Sequence, residues 1–321
     1  MSIRTDLFRR TELQVCWSAY KSYIRNNTAA GVDGVTKRAF DSNINIELAR
    51  ISRRVLANDF GYQPLRPIPT DKGDGRIRLI NVPTIADRFI QRCVLQRLLE
   101  ANRERWRTGI SFGALREESV AGVLNKVASQ AIRSPWIIKS DISSYFDAID
   151  RDKIKAVVRR RVRQTSLIPL IDSAIECEPD LTNPLDCRAF EAANLKVGKG
   201  IRQGMTLSPL LAYLFLIEED QTTTPETFFR YVDDIIFFGN SKRQVLEQFD
   251  RYKQLLIKKG LDLSEDKTRL VAPSEPFVFL GIELRRNLGK PTFHIPTKSK
   301  VRVIKTINDA CDFSQLSRSK Q

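Results

Sequence analysis

Two short apolar runs surround a pair of adjacent aspartates in the third quarter of the chain. Residues 228–232 and 235–238 are rich in aromatic and β-branched side chains, and Asp233 and Asp234 lie between them. This pattern predicts a β-hairpin with two carboxylates at its tip. Carboxylates between buried strands are costly unless their charge is compensated, and a divalent cation is the simplest compensation. For this stretch alone, a solvated acidic turn is the alternative interpretation.

A third aspartate, Asp141, ends another strand, predicted from Trp136 onward. If this strand and the hairpin are neighbours in one sheet, Asp141 and Asp233 converge at one edge. Two divalent ions about 3.5–4 Å apart, held by such carboxylates, can activate an attacking 3′-hydroxyl and stabilise a leaving pyrophosphate. Mg²⁺ suits so sparse a set of ligands, because substrate phosphate oxygens complete its coordination.

The charge of the chain predicts a nucleic-acid partner. Its 321 residues include 53 Lys and Arg against 38 Asp and Glu, a formal net charge of +15, and the basic residues recur along the whole chain. Such a surface most often binds phosphates. Glycoside hydrolysis also uses paired carboxylates, but it does not predict this charge. No membrane partner is expected, because no long basic amphipathic helix is evident.

Cysteine, histidine and hydropathy patterns narrow the class further. The five cysteines are widely spaced and His294 is the single histidine, which argues against a zinc site, a disulfide framework or a mechanism that needs two histidines. No run approaches 18 apolar residues and the first residues lack a signal-peptide core, so we expect a cytoplasmic protein.

The remaining pattern predicts an α+β fold. A basic hairpin is expected over residues 64–80, and one continuous strand over residues 277–282. Ser208 is the expected N-cap of an apolar helix with Pro209 at its first position. Helices are also predicted over or from these positions: 6–27, 37–58, Thr84, 114–133, Asp150, 210–218 and 241–259.

Taken together, these motifs resemble reverse transcriptases, specifically the prokaryotic group II intron-like lineage. A lone Tyr-x-Asp-Asp is a weak signal, whereas many motifs in one order with sensible spacing are a strong one. The matching segments are residues 31–34, 66–83, 87–91, 140–147, 203–209, 231–234, 263–268 and 279–281.

The resemblance implies a right-hand polymerase in which helices cover an antiparallel palm sheet. An N-terminal region with the fingers would occupy residues 1–135, with part of the palm from about residue 84. The palm would occupy residues 136–285, with 151–200 partly an insert of the fingers. Residues 286–321 would form a short, thumb-like segment, since only about 40 residues follow Gly281.

The resemblance also assigns roles to individual residues. Asp141 and Asp233 would bind two Mg²⁺ ions, with Mn²⁺ as an alternative, assisted by Asp234 and the Ile142 carbonyl. Phe146 would exclude a ribose 2′-hydroxyl and so select dNTPs. The other implied nucleotide-binding residues are Lys72, Arg78, Tyr145, Gln203, Gly204 and Lys267. The implied template and primer contacts are Tyr231, Phe279, Leu280 and Gly281.

Several alternatives stay open at this level. The resemblance favours compact antiviral-defence enzymes of the "unknown group", which act with a cognate non-coding RNA as template. Retrons usually carry alanine where this chain has Val232, and intron-encoded enzymes usually have a more basic fingers turn. Template-independent or protein-primed DNA synthesis would use the same aspartates, and a non-catalytic RNA-binding protein would not need them. The cognate RNA, a second copy of the chain or an accessory protein would complete the short thumb.

Overall fold

The computed structural model describes residues 2–24, 28–71, 75–115, 118–287, 290–297 and 300. Its strands are β1 (Arg66–Asp71), β2 (Ile77–Val82), β3 (Ser111–Phe112), β4 (Trp136–Asp141), β5 (Phe228–Tyr231), β6 (Asp234–Gly239), β7 (Arg269–Val271), β8 (Phe277–Phe279), β9 (Ile282–Asn287) and β10 (Lys290–His294). Its helices are α1 (Ile3–Leu7), α2 (Arg10–Tyr20), α3 (Lys37–Ser42), α4 (Ile44–Leu56), α5 (Ile85–Trp106), α6 (Val120–Arg133), α7 (Tyr145–Ala148), α8 (Arg151–Arg161), α9 (Ile168–Ile175), α10 (Pro184–Ala192), α11 (Ser208–Phe215), α12 (Ile217–Asp220) and α13 (Lys242–Lys259). The α+β prediction is confirmed.

The hairpin predicted around the paired aspartates lies in a five-stranded sheet of order β3-β5-β6-β4-β7. β5 and β6 pair antiparallel on either side of the aspartate turn, and β6 pairs antiparallel with β4. The sheet is antiparallel except for the two-residue β3, which runs parallel to β5. The strand that ends at Asp141 and the strand that begins at Asp234 are therefore direct neighbours.

Aromatic residues pack on both faces of this sheet, because successive strand residues point to opposite sides. On one face, the Phe228 ring lies 4.7 Å from that of Phe237 and 4.8 Å from that of Tyr252 in α13. On the other face, the Phe229 ring lies 5.9 Å from that of Phe112. Burial on both faces holds the aspartate turn on a rigid base.

Two long predicted helices are each divided in the structure. The helix predicted over residues 6–27 is replaced, in the part that the structure describes, by α1, α2 and a 3₁₀ turn over Lys21–Tyr23. The chain bends at Phe8, whose ring is completely buried, and Arg9 is extended. Residues 37–58 divide at Asn43, whose amide donates to the Ala39 carbonyl oxygen (3.1 Å). Asparagine interrupts helices in this way because its side chain competes for backbone partners.

The structure corrects two local predictions near the site. Leu207, not Ser208, precedes α11, and the Ser208 hydroxyl donates instead to the Arg202 carbonyl oxygen (2.8 Å). The predicted strand over residues 277–282 is a tight hairpin, β8–β9. Its turn is formed by Leu280 and Gly281, with φ of +48° and +76°. Because leucine rarely adopts this left-handed conformation, the turn could not be predicted from the sequence.

The described part of the chain contains no helix long and apolar enough to span a membrane. Most of the expected thumb-like segment, residues 286–321, lies outside the described residues. The domain limits at residues 135 and 285 stay predictions. The backbone N–H of Asn81 in β2 donates to the Gln203 carbonyl oxygen (2.8 Å), so the expected fingers hairpin contacts a loop from the second half of the chain.

The buried Asp87 predicts a measurable pH dependence of stability. Thr84 caps α5 as expected, and the side chain of Asp87 in the first turn is 2% exposed. Burial raises the pKa of this carboxyl to about 6, although the Gln63 N–H donates to it (3.1 Å). Between pH 4 and 6 the folded protein therefore retains a proton that the unfolded chain releases, and stability falls as pH rises.

Asp87→Asn removes this titration. We expect the free energy of unfolding of the variant minus that of the wild type to increase by up to about 3 kcal/mol between pH 4 and pH 8. Urea denaturation at each pH measures this difference. Asp152→Asn is the matched control, because it makes the same substitution at an exposed first-turn aspartate of α8. An equal gain in this control would show that the burial of Asp87 is not the cause. A constant difference for Asp87→Asn would contradict the prediction.

Candidate active site

The register of the central sheet places Asp141 directly opposite Asp234. Opposite residues of an antiparallel pair have Cβ atoms about 4.5–5.5 Å apart on one face, so the two carboxylates face each other. Asp233 is drawn to the same edge, because its carbonyl oxygen accepts the Ile142 N–H (2.9 Å). The convergence predicted from the sequence is therefore present.

The turn between β5 and β6 has an unusual backbone. Val232 has a φ of +58°, which a β-branched residue rarely adopts and which costs of order 1–3 kcal/mol. The Val232 N–H donates to the Phe112 carbonyl oxygen (3.3 Å), and Gly113 lies beneath the turn. A Cβ on Gly113 would come within 2.7 Å of the Val232 side chain. The half-buried Tyr231 packs over Gly113 and pairs with Asp234.

Uncompensated negative charge accumulates at this edge. Burial, followed by the charge of Asp141, raises the pKa of Asp233. Burial and the charges of Asp233 and Asp141 raise the pKa of Asp234 to about 6. Lys267 partly offsets this, since its ammonium lies 2.8 Å from Asp141 Oδ2 and remains half exposed. The excess of carboxylate charge makes the edge suitable for a cation.

A divalent cation fits this edge when water or substrate oxygens complete its coordination. Within the described ranges, no three or more carboxylate, histidine or cysteine side chains form a cluster that could hold a metal alone. Mg²⁺ in phosphoryl-transfer sites needs only one or two protein carboxylates, because water and phosphate oxygens supply the rest. Asp141, Asp233 and Asp234 can meet that need. The contribution expected from the Ile142 carbonyl stays a prediction.

The two aromatic residues expected at the nucleotide lie in different environments. The Tyr145 side chain is buried in the core and its hydroxyl donates to the Ala212 carbonyl oxygen, so the structure does not bring this ring to the site. Phe146 is only partly buried, with its ring centroid 5.9 Å from that of Tyr145. Ser144, with a φ of +46°, makes the turn into α7, and the two rings point differently because successive residues of a helix lie about 100° apart around its axis.

The loop that contains Gln203 and Gly204 joins the fingers hairpin to the aspartate edge. Besides accepting from Asn81, the loop donates the Ile201 N–H to the Phe146 carbonyl oxygen (2.8 Å). The Gln203 side-chain amide also reaches Asp147 Oδ2 (3.4 Å). Gly204 has a φ of +107°, and a Cβ there would come within 2.3 Å of the Asn81 carbonyl oxygen. Only glycine permits this approach.

Gly204→Ala is expected to weaken this docking strongly. Gly198 is the matched control, because its φ of +76° strains an alanine similarly while no atom lies within 4 Å of the added methyl group. We expect a loss of unfolding free energy of about 1 kcal/mol for Gly198→Ala and about 3 kcal/mol or more for Gly204→Ala, measured by chemical denaturation. Equal losses in the two variants would show that the contact with Asn81 is unimportant.

A buried glutamine, Gln91 of α5, positions the other end of this loop. Its side-chain oxygen accepts the N–H groups of Thr206 (2.9 Å) and Leu207 (3.4 Å). Gln91 lies in one of the segments that match the family, but this contact could not be predicted from the motif. A polar residue in the middle of an apolar helix face was the available signal.

The two cationic residues expected at the nucleotide from the fingers hairpin have different outcomes. Arg78 in β2 is exposed, and its charge partly opposes the burial that raises the pKa of Asp233. Lys72 lies outside the described residues.

Three of the four expected template and primer contacts share a cavity with two of the aspartates. Phe279, Leu280 and Gly281 line a space of about 360 Å³ together with Asp141, Asp234 and Lys267. Three further charged residues line the cavity without having been predicted there from the sequence: Lys139, Asp266 and Arg269. Lys139 precedes Asp141 by two residues, so strand alternation could have placed it on the same face. Burial lowers the pKa of its ammonium group.

Comparisons with known proteins agree with this geometry. The family model described as reverse transcriptase (RNA-dependent DNA polymerase) matches residues 70–284, about two thirds of the chain. Protein YkfC of Escherichia coli K12 is 25% identical over 95% of this chain and 88% of its own length. The group II intron-encoded protein LtrA of Lactococcus lactis is 21% identical over 84% of this chain and 55% of its own length.

Solved structures show the same fold. A truncated apo telomerase from Candida tropicalis superposes with a TM-score of 0.52 at 16% identity, over 81% of this chain and 60% of its own. A Candida albicans telomerase solved with a fragment of telomeric RNA gives 0.55 at 12% identity, over 85% of this chain and 55% of its own. The chain thus spans little more than half of LtrA and of the telomerases. The architecture is the right-hand polymerase fold, and the chain belongs to the reverse transcriptase (RNA-dependent DNA polymerase) family.

Proposed function

We propose that this protein synthesises DNA on an RNA template by joining dNTPs to a primer 3′-hydroxyl. The observation that carries the proposal is the pairing of Asp141 with Asp234, with Asp233 held at the same edge. Members of the family generally use divalent metal ions. In this chain Asp141 and Asp233 would hold two Mg²⁺ ions, or Mn²⁺, assisted by Asp234 and the Ile142 carbonyl.

Each remaining residue would have a distinct task at this edge. The metal ions would supply activation of the 3′-hydroxyl and charge stabilisation. Arg78 and Lys72 would both donate charge-assisted hydrogen bonds to the triphosphate. Lys267, already 2.8 Å from Asp141, is a positive charge available to the leaving pyrophosphate. Phe146 would occupy the space of a ribose 2′-hydroxyl.

The remaining contacts would hold the base pair and the primer. Gln203 and Gly204 would position nucleotide and template through the loop that Asn81 anchors. Phe279, Leu280 and Gly281 would contact the primer across the shared cavity, and Tyr231 would support its end.

The test is primer extension by the purified protein on a primed RNA template with Mg²⁺, offered either dNTPs or rNTPs, beside Asp233→Ala. Template-complementary DNA that is lost in the variant would support the proposal. DNA made regardless of template would replace it with terminal transfer or protein priming. RNA binding without synthesis, even with RNA co-purified from the host, would favour a binding role.

We extend the proposal to a cytoplasmic enzyme that copies a cognate non-coding RNA in bacterial defence against phage. Two observations support it: the resemblance to compact bacterial enzymes and the relatedness to bacterial proteins. Sequencing RNA and DNA bound to the purified protein would identify template and product. Phage plaque counts on cells that express wild type or Asp233→Ala would test the role. Equal counts would reject defence and favour a retron-type or intron-type role.

A further inference from the structure

A completely buried ion pair lies behind the aspartate turn. The side chains of Arg230 in β5 and Asp220 at the end of α12 are both 0% exposed. The Asp220 carboxylate accepts from Arg230 Nε (3.0 Å to Oδ2) and Nη2, from the Tyr252 hydroxyl (2.7 Å) and from the Ser111 hydroxyl (2.6 Å). These four donors come from β3, β5 and α13. They hold the carboxylate in place, and the carboxylate in turn fixes the orientation of the guanidinium.

The opposite side of the same guanidinium reaches the turn. Arg230 Nη1 donates to the Val232 carbonyl oxygen (2.8 Å). This carbonyl belongs to the peptide that joins Val232 to Asp233, and Val232 has the left-handed φ of +58°. The arginine therefore holds the peptide immediately before the first aspartate in an orientation that the local chain disfavours.

Stability alone gives a weak reason for such a pair. Replacing a buried ion pair by apolar residues of similar volume is often neutral or stabilising, because desolvation cancels much of the Coulomb attraction. An apolar pair could not bind the Val232 carbonyl. The function left for Arg230 is therefore the orientation of the turn.

We propose that Arg230, held by Asp220, is a positioning residue that sets the Asp233 and Asp234 carboxylates opposite Asp141 in a geometry that binds a divalent cation. The inference deepens the proposed function and rests on its metal site. The buried Arg230 side chain would thus increase the affinity of the site for a metal ion that it does not contact.

Arg230→Lys tests the geometry. A single ammonium group can pair with Asp220 but cannot also reach the Val232 carbonyl as the planar guanidinium does. We expect the variant to bind Mn²⁺ about 10-fold more weakly in calorimetric titration. Tyr252→Phe is the matched control: it removes one hydrogen bond from Asp220 but leaves the bond to Val232. It should lower the melting temperature and keep Mn²⁺ affinity within about twofold.

A second variant covers the case in which Arg230→Lys does not fold. The double substitution Arg230→Met with Asp220→Leu removes both charges together, the change that buried pairs tolerate best. We expect a folded protein by circular dichroism with the same loss of Mn²⁺ affinity. The inference is overturned if either folded Arg230 variant binds Mn²⁺ like wild type. It is also overturned if Tyr252→Phe weakens binding equally, or if wild type shows no binding that Asp233→Asn removes.

Metal binding separates this inference from the proposed function. A wild type that binds Mn²⁺ through Asp233 but makes no DNA would reject polymerisation and leave the role of Arg230 standing. An active wild type with unchanged affinity in the Arg230 variants would reject the positioning role alone.

Discussion

Asp233→Asn is expected to abolish DNA synthesis and, at the same time, to stabilise the metal-free protein. The variant loses a proposed metal ligand, and we expect the single-turnover rate of primer extension to fall by about 10³-fold or more, equivalent to ~4 kcal/mol in the barrier. The same change removes a buried negative charge that faces Asp141. In the absence of divalent ions, we expect the free energy of unfolding of the variant to exceed that of the wild type by about 1 kcal/mol.

The stabilisation should depend on pH in a definite direction. Because burial and Asp141 raise the pKa of Asp233, the folded protein retains a proton that the unfolded chain loses. Wild-type stability therefore falls as pH rises above the unfolded pKa, and Asn removes this loss. The gain in melting temperature in EDTA should be larger at pH 8 than at pH 4.

The matched control is Asp250→Asn, an exposed aspartate on α13, which should change neither quantity. An Asp233→Asn protein that is inactive and also less stable would mean that the carboxylate supports the fold, which would contradict the charge argument. A protein that retains synthesis would contradict the assignment of Asp233 as a ligand.

The parts of the site that the sequence predicts are those determined by local patterns. The hairpin around Asp233 and the strand ending at Asp141 follow from apolar runs of strand length, and burial leaves such runs few alternatives. That the two strands are neighbours could be stated only as a condition, because pairing depends on contacts distant in sequence. The family resemblance supplied the roles, and the register showed that the residues meet.

The parts that the sequence does not predict depend on tertiary contacts. Arg230 lies inside an apolar run, and its partner Asp220 lies in a different element. Tyr145 and Phe146 are adjacent and chemically similar, so only the helix orientation shows which ring enters the core. The turn at Leu280 adopts a conformation that its residue type disfavours, which sequence propensity cannot anticipate.

Phe146→Ala is expected to let the enzyme incorporate ribonucleotides. The backbone of Phe146 is held in place, because its carbonyl oxygen accepts the Ile201 N–H, and its ring is partly exposed to solvent. Removing the ring opens the space that a 2′-hydroxyl would need. We expect the preference for dNTPs over rNTPs, measured as a ratio of kcat/KM, to fall by about 10²-fold, or ~3 kcal/mol.

Tyr145→Phe is the matched control, since it changes the neighbouring ring by one buried hydroxyl. It breaks the bond to the Ala212 carbonyl, so we expect a loss of about 1 kcal/mol of stability and an unchanged ratio between the two sugars. If Tyr145→Phe altered the ratio instead, the buried ring would influence the nucleotide after all. If Phe146→Ala reduced kcat for both sugars equally, the ring would position the substrate without selecting it. Only a change in rNTP use alone supports steric selection, because only that result separates the 2′-hydroxyl from the rest of the nucleotide.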